Sequence, residues 1–254
     1  MRQANLILVT GLPGTGKTTL ARAVAARYGM PLVCKDTIKE PLLDVLGAVD
    51  RAQSRQLSDA SFAVMFALAR GCLQAGTDLV LEGNFRPGEH EAEVQALVAT
   101  VQALTTSQAL TAVQAPNASP AQNVSASRPP EPAAEQPQAP NASPAPKGNA
   151  LRPPERGPAP SAATLRIAQV LCRSTESIRI ARLKARATDL SRHAGHRDAE
   201  LADQPAPTAH LDFLDLPSER LVFESDAMTW AEIDRGHVQA LLDKLDLWHQ
   251  PGQQ

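Results

Sequence analysis

The chain has 254 residues, of which 43% are hydrophobic and 3% aromatic, and its formal net charge is -2. This composition suffices for a buried core, and the near-neutral charge excludes a broad electrostatic attraction to nucleic acid or anionic membranes. The 21 prolines indicate that part of the chain does not pack into a compact domain.

The N-terminus and the cysteines indicate the cellular compartment in which the protein is expected. The apolar run that follows the first five residues is too short for a signal peptide or a membrane span. The three cysteines lie far apart in apolar stretches, which predicts reduced thiols in a core. We therefore expect a cytoplasmic protein without a membrane partner.

Strands and helices alternate along the first hundred residues. Residues 6–9 form an uninterrupted apolar run, which predicts a strand buried on both faces of a parallel sheet. Two further short apolar runs predict strands, and the apolar spacing between the runs is helical. The remaining predicted strands are 31–34 and 78–81, and the predicted helices are 17–27, 37–46, 58–74 and 89 to about 100.

The composition changes between about residues 107 and 163. Pro, Ala, Ser, Asn and Gln replace the large apolar residues, so burial cannot offset the entropy cost of ordering this segment. Residues 114–120 recur as 138–144, an offset of 24 residues that indicates a tandem duplication. We predict a disordered linker that acts as a passive spacer, which is favoured over a docking segment for a protein partner.

The globular pattern resumes after the linker. It predicts a strand at 165–172, an Arg-rich helix from 175 to about 190, a last strand at 221–223 and a closing helix at 231–247. Residues 1–106 and 164–248 are therefore expected to be two parts of one α/β domain. We predict a three-layer sandwich with a central, mostly parallel sheet, interrupted by the Pro/Ala-rich insert.

A glycine-rich loop follows the first strand. Residues 11–18 read GLPGTGKT and match G-x-x-x-x-G-K-[ST] at every required position, between a buried strand and an amphipathic helix. Backbone N–H groups and the helix N-terminus can converge there on phosphate oxygens, with Lys17 on the β- and γ-phosphates of ATP and Thr18 on Mg²⁺. This is the phosphate loop (P-loop) of nucleotide-binding proteins. The predicted nucleotide-binding residues are Gly11, Leu12, Pro13, Gly14, Thr15, Gly16, Lys17, Thr18 and Thr19.

The first candidate on the acceptor side is Asp36. It follows the predicted strand 31–34 and so lies at the carboxyl end of a strand, where α/β sheets place their ligands. A carboxylate there can take the proton of an attacking hydroxyl and orient that hydroxyl toward the γ-phosphate. The alternative is structural, since Asp36, with Glu40 nearby, also suits the N-cap of the following helix.

The predicted third strand leads to a second carboxylate, Glu82. It stands where a Walker B acid is expected, with Glu in place of the usual Asp, and is predicted to hold either a Mg²⁺-bound water or an acceptor hydroxyl. Asn84 and Arg86 come next in the chain. Both are predicted to line the acceptor pocket, although Arg86-Pro87 also suits a turn before the next helix.

Two arginines on the predicted helix 175–190 point to phosphate chemistry. Arg182 and Arg186 are four residues apart, so they share a helix face and can neutralise charge on the triphosphate. A solvated helix face is the alternative. His193 and His196 follow, and they are equally well interpreted as loop residues or as substrate contacts.

The phosphate loop followed by Asp36 and Lys39 resembles the small P-loop kinases related to polynucleotide 5′-kinase, chloramphenicol phosphotransferase and zeta-toxin-like kinases, within the AAA-type ATP-binding proteins. The resemblance implies that Asp36 is the general base and that Lys39, in place of the usual Arg, contacts substrate phosphate. The Arg-rich helix resembles their lid. Residues 192–196, RHAGH, are similar to an Arg-His-Pro-Gly-His element of bacterial members, with Ala194 in place of Pro. Arg192 is expected to bind substrate as one of several cations that can gather around a phosphorylated end.

Together these patterns predict an ATP-dependent phosphotransferase that moves the γ-phosphoryl group of ATP–Mg²⁺ to a hydroxyl of a nucleic-acid end, a nucleoside or a small molecule. The alternative is a regulatory ATPase whose hydrolysis acts on a protein partner. The predicted catalytic residues are Lys17, Asp36, Arg182 and Arg186, the substrate-binding residues Lys39, Glu82, Arg86 and Arg192, and the magnesium ligands Thr18 and Glu82. The sequence leaves the acceptor open.

Overall fold

The computed structural model describes residues 4–47, 50–114, 165–190, 193–204, 212–226 and 237–249. The strands in this part of the chain are β1 (Ala4–Gly11), β2 (Leu32–Cys34), β3 (Leu79–Glu82), β4 (Leu165–Arg173) and β5 (Glu219–Glu224). They form one sheet in the order β2-β3-β1-β4-β5, and every neighbouring pair is parallel. The predicted sheet is therefore confirmed.

Helices connect the strands and cover the sheet on both sides. They are α1 (Lys17–Tyr28), α2 (Lys35–Leu46), α3 (Arg51–Gln74), α4 (Glu91–Gln114), α5 (Glu176–Ala187), α6 (Asp198–Ala202) and α7 (His237–His249). A 3-10 turn, Ala194–His196, precedes α6. None of the helices in the described ranges is both long and apolar enough to cross a bilayer.

Strand β1 divides its side chains between two cores because successive residues of a strand point to opposite faces. Ile7 and Val9 are fully buried in one cluster together with side chains of α1 and α7. Leu6 and Leu8 are buried in the other, with side chains of α3 and α4. The result is the predicted three-layer α/β sandwich, with β1 at its centre.

The carboxyl ends of the central strands bring the predicted site together. Val9 of β1 and Cys34 of β2 both lie opposite Glu82 of β3, and Gly11 lies opposite Cys172 of β4. The chain leaves β1 between neighbours that come from distant parts of the sequence. Open α/β sheets bind ligands at this kind of position.

Two helix boundaries differ from the prediction. Helix α3 begins at Arg51 rather than at residue 58, because the Asp50 carboxylate accepts a hydrogen bond from the Gln53 N–H at 2.8 Å and caps a polar first turn. Helix α4 continues to Gln114 rather than ending near residue 100, so residues 107–114, predicted as linker, are helical. Good helix formers dominate 101–114, and no proline occurs between Pro87 and Pro116.

The remaining differences are small or fall outside the described ranges. The rest of the predicted linker, residues 115–163, lies outside them, as do residues 231–236 at the start of the predicted closing helix. The three cysteines are free thiols; Cys34 and Cys172 are buried, and Cys72 is half-buried.

Candidate functional site

The phosphate loop needs glycine for steric reasons that the structure makes explicit. Gly11 has a φ of 148°, and a Cβ there would lie 2.5 Å from the carbonyl oxygen of Cys172 on β4. Gly14 has a φ of 89°, and a Cβ would lie 3.0 Å from the carbonyl oxygen of Arg179 on α5. Other residues would be strained at both positions. The loop therefore fits tightly between β4 and α5.

Helix α1 begins directly behind this loop. Gly16 is its N-cap residue in the left-handed conformation, so the first free N–H groups of the helix face the loop. The Lys17 side chain, only 11% exposed, lies in the first turn. The helix dipole and this ammonium group place positive charge at one point, an arrangement suited to phosphate.

Helix α5 covers the phosphate loop. Arg182 donates to the Gly14 carbonyl oxygen at 3.3 Å and, after β5, to Ser225 Oγ at 2.9 Å and Ser225 O at 2.6 Å. Arg186, one turn later, has its Nε 3.8 Å from Asp198 Oδ2 and lines the cleft described below. The two predicted lid arginines therefore have different contacts. Arg182 contacts the phosphate loop, whereas Arg186 lines the cleft.

A third arginine of α5, Arg179, was missed by sequence reasoning. It is 3% exposed and forms a two-pronged ion pair with Glu176, at 2.8 and 2.7 Å, while its backbone packs on Gly14. The i, i+3 spacing of Glu176 and Arg179 signalled a helix pair, but not its burial against the loop.

Asp36 lies in the first turn of α2, whose N-cap is Cys34, so the alternative interpretation of Asp36 as the N-cap is wrong. Its carboxylate is 3.1 Å from Lys35 Nζ and 3.8 Å from His196 Nδ1. Burial alone would raise the pKa of Asp36, but the charges of Lys35, Lys17 and His196 together hold it well below its usual value. Asp36 is therefore ionised at neutral pH.

Glu82 is the most buried acid of the site, at 1% exposure. Burial raises its pKa, while Lys17, at 3.8 Å, and hydrogen bonds with Cys34 and Thr18 oppose that shift. Its second oxygen, Oε2, has no hydrogen-bond partner within the described part of the chain. A buried carboxylate oxygen without a partner is costly unless a ligand occupies it.

These features fit a magnesium nucleotide. Glu82, whose Oε2 atom lacks a partner, has Thr18 beside its side chain, and hydroxyl and carboxylate oxygens are the ligands that Mg²⁺ accepts directly or through water. The loop backbone, the start of α1 and Lys17 supply the donors for phosphate. The residues that the sequence predicted for nucleotide and metal are thus contiguous in space.

A cleft of about 310 Å³ extends from this loop toward α2 and α3. Lys17 and Glu82 line its nucleotide end, and Asp36 lies on the wall formed by α2. Most of the other predicted residues line it as well. They are Lys39, Asn84, Arg86, Arg186 and His196. Arg192 lies outside the described residues, so its predicted substrate contact stays a prediction.

Helix α2 carries an acidic stripe, Asp36, Glu40 and Asp44, that faces the turn before α6. His196 Nε2 donates to Glu40 Oε1 at 2.6 Å, and His193 Nε2 donates to Asp44 Oδ1 at 2.9 Å. Between these two pairs the chain comes so close to α2 that a Cβ at position 195 would lie 2.5 Å from Leu43 Cδ1. The histidines therefore hold the 193–197 segment across one side of the cleft.

Lys39 lies further along the cleft, where its Nζ donates to Ser54 Oγ of α3 at 3.0 Å. Burial, and then repulsion by Lys35, lower the pKa of Lys39 to about 8, although Asp36 and Asp59 oppose that shift. Lys39 thus joins α2 to the first turns of α3 while remaining part of a crowded group of cations.

Sequence reasoning also missed two cations on α3, Arg51 and Arg55. Both line the cleft, because α3 starts earlier than predicted and its first turns carry them on one face. Arg86, after β3, lies beside them and donates to Glu89 Oε2 at 2.8 Å. The cap residue Asp50 was the sequence signal that could have placed them.

Comparisons with known proteins bear on this arrangement. A family model described as "AAA domain" matches residues 6–139, more than half of the chain. No curated protein sequence matches. Among solved structures, a protein from Chloroflexus aurantiacus J-10-fl, provisionally named a kinase, has a TM-score of 0.60 and 22% identity, covering 97% of this chain and 98% of its own.

Two further structures match more loosely. A sugar kinase from Janibacter sp. HTCC2649 has a TM-score of 0.46 and 12% identity, covering 96% of this chain and 95% of its own. A gluconokinase from Sinorhizobium meliloti 1021 has a TM-score of 0.43 and 14% identity, covering 98% and 100%. The likeness to the Chloroflexus protein, at 22% identity, shows the fold alone.

Proposed function

The chain belongs to the AAA domain family, as its phosphate loop predicted, and we propose that it is a phosphotransferase that moves the γ-phosphoryl group of ATP to a hydroxyl group. One observation carries the proposal: Lys17, Glu82 and the ionised Asp36 line the same cleft, with the phosphate loop at one end and room for an acceptor at the other. A protein that only hydrolyses ATP has no need of a second, preformed chamber beside the γ-phosphate.

The nucleotide end of the cleft binds the triphosphate. The N–H groups of the phosphate loop and of the first turn of α1 donate to phosphate oxygens, and Lys17 neutralises the charge that builds up on them. Arg182 holds the phosphate loop in place by donating a hydrogen bond to the Gly14 carbonyl oxygen. Thr18 and Glu82 would hold magnesium, which would supply further positive charge to the phosphates.

The transfer step places one residue on the acceptor. The acceptor oxygen forms a bond to the γ-phosphorus while the bond from that phosphorus to the bridging oxygen of ADP breaks. Asp36 accepts the hydrogen bond of the acceptor hydroxyl, orients it and takes its proton as the new bond forms. Because the pKa of Asp36 is below its usual value, orientation is the larger part of this role, and the proton passes on to water or buffer.

Arg186 and the 193–197 segment close the acceptor end. Arg186 lines the cleft beside Asp198, and His196 holds the segment against Glu40. Closure excludes bulk water, which would otherwise compete with the acceptor for the γ-phosphoryl group.

The test is a transfer screen with γ-labelled ATP and Mg²⁺ over nucleosides, sugars, sugar acids and 5′-hydroxyl oligonucleotides. Lys17→Ala serves as the blank. We expect label in one acceptor class with the wild-type protein and none with the variant. Steady release of labelled phosphate with no labelled acceptor would instead support the regulatory ATPase that the sequence left as the alternative.

A further inference from the structure

Three arginines from two elements meet at the far side of the acceptor cleft. Arg51 and Arg55 lie one turn apart on α3, and Arg86 follows β3. All three line the 310 Å³ cleft and also an adjoining cavity of about 350 Å³ on the outer side of the phosphate loop. They therefore stand at the boundary between the two spaces, and together they are called the arginine wall here.

Within the described residues, the three positive charges of the arginine wall have fewer than three acidic partners. Glu89 lies 2.8 Å from Arg86 NH1 and 3.8 Å from Arg55 NH2, so one carboxylate is shared by two guanidinium groups. In the described ranges no acid lies within ion-pair distance of Arg51. The chain as a whole carries a net charge of -2, so this local excess of positive charge does not follow from composition.

The surroundings of the wall are those of a recognition site. Ser54 and Ser58 of α3 and Asn84 after β3 line the same cleft and add hydroxyl and amide donors. Arg86 is held in place, since its side chain is 24% exposed and anchored by Glu89. Guanidinium groups match carboxylate and phosphate oxygens in pairs, which a hydrated ammonium group does less well.

We infer that the acceptor is a small hydroxyl compound that carries a carboxylate or phosphate group, and that the arginine wall binds this group while Asp36 receives the hydroxyl. The inference rests on the proposed phosphotransferase function and names its substrate class. A small acceptor is favoured because His196 and its neighbours cross one side of a cleft whose volume suits a metabolite.

The first test measures binding without transfer. The protein is loaded with Mg²⁺ and a non-hydrolysable ATP analogue, AMPPNP, so that the phosphate loop is filled, and is titrated calorimetrically with orthophosphate, gluconate, glucose, adenosine 3′-monophosphate and adenosine. We expect anionic members to bind at least about 10-fold more tightly than their neutral counterparts. The double variant Arg51→Gln/Arg55→Gln should lose at least about 10-fold of this affinity.

Two variants control this measurement. Arg70→Gln changes an exposed arginine of the same helix that lines neither cavity, and anion affinity should stay unchanged. Glu89→Gln removes the carboxylate that competes for Arg86 and Arg55, so anion affinity should rise several-fold. A purely structural role of the arginine wall would leave anion affinity in Glu89→Gln unchanged, or lower it. Melting curves of each variant establish that it folds.

The second test follows γ-label into the same matched pairs and into a 5′-hydroxyl oligonucleotide. We expect the anionic member of a pair to be labelled, its KM to rise at least about 10-fold in the double variant, and the KM for ATP to hold. Gluconate against adenosine 3′-monophosphate separates carboxylate from phosphate.

Equal binding of neutral and anionic members, unchanged anion affinity in the double variant, or label confined to the oligonucleotide would each overturn the inference. Anion binding that depends on the arginine wall, without label transfer to any acceptor, would support the subsite and reject the phosphotransferase.

Discussion

The two ends of the cleft are built in different ways. At the end formed by the phosphate loop, the loop and the start of α1 come from one run of sequence, and the first free N–H groups of α1 face the loop. At the acceptor end, side chains from α2, α3, the end of β3 and the 193–197 segment converge, and ion pairs and hydrogen bonds hold them. The first end depends on backbone conformation, whereas the second depends on charge.

Because of this difference, substitutions at the two ends of the cleft should have different effects. A ligand that is the same in many proteins can be bound by backbone groups in one fixed conformation. An acceptor that differs between proteins requires side chains, which substitution alters without disturbing the fold. Substitutions at the nucleotide end should therefore affect stability and ATP binding, and those at the acceptor end should affect acceptor kinetics.

The largest effect is expected for Asp36→Asn. Transfer should fall by a factor of about 100 or more, while ATP affinity stays within about 3-fold. The neutral amide keeps the shape of the side chain, but it accepts a weaker hydrogen bond from the acceptor hydroxyl, orients it less firmly and cannot take its proton. In the wild type the pKa of Asp36 lies below its usual value, so kcat should show no acid limb from this group between pH 5 and 8. Single-turnover kinetics measure the transfer rate, and nucleotide titration measures the ATP affinity. Full transfer in the variant would remove Asp36 from the mechanism.

Gly11→Ala should act on the other end. A Cβ would lie 2.5 Å from the Cys172 carbonyl oxygen at a φ of 148°, so we expect a loss of about 2 kcal/mol of unfolding free energy and weaker ATP binding. Gly76→Ala is the control, since its φ of 71° is also positive but nothing lies within 4 Å. Its loss should be about 1 kcal/mol, with ATP binding unchanged. Equal effects in denaturant unfolding would show that crowding by β4 is unimportant.

The two histidine pairs offer a matched comparison within the acceptor end. His196→Ala should raise the acceptor KM by about 10-fold, because it removes a 2.6 Å hydrogen bond to Glu40 beside Asp36. His193→Ala should change it less than about 2-fold, since its partner Asp44 is 69% exposed and such pairs contribute little. The KM for ATP should hold in both. Similar effects of the two changes would mean that they act on the segment as a whole.

The smallest effect is expected for Lys39→Met, measured as unfolding free energy against pH. The folded pKa of Lys39, about 8, lies below that of the unfolded chain, so the charged side chain costs stability below pH 8 and the cost disappears as the pH rises toward 10.5. The variant should be more stable by about 1 kcal/mol at pH 7, after allowance for solvent screening, and should converge on the wild type near pH 10. Lys184→Met, at an exposed lysine of α5, is the matched substitution against which the Lys39 curve is compared.

The same contrast explains what could be predicted from sequence. The phosphate loop is contiguous, and its glycines meet steric requirements, so the pattern predicted the loop between β1 and α1. It did not predict the neighbours that pack on the loop, such as Arg179. Asp36 and Glu82 could be placed because each follows an apolar run that ends at the carboxyl edge of a sheet. The fold class followed from the alternation of such runs with helical spacing, and it is confirmed.

The acceptor end depended on information that periodicity does not carry. Arg51 and Arg55 belong to the cleft only because α3 starts at its Asp50 cap, within a polar stretch that has no apolar rhythm. The pairing of His193 and His196 with α2 joins residues about 150 positions apart, and no local rule predicts such a contact. The catalytic and binding roles assigned to these residues stay predictions until the variants are measured.

The position of β4 beside β1 has a consequence for the making of the protein. Every residue of β1 pairs with β4, from Ala4 opposite Leu165 to Gly11 opposite Cys172. One of the two strands that flank β1 is therefore synthesised more than 150 residues after it. At about 5–20 residues per second, a ribosome needs roughly 3–12 s to pass from the end of α4 to the end of β4. During those seconds the nascent chain presents an apolar strand edge in its middle, where other chains can pair with it. The pace of translation and the supply of chaperones should therefore govern the yield of folded protein.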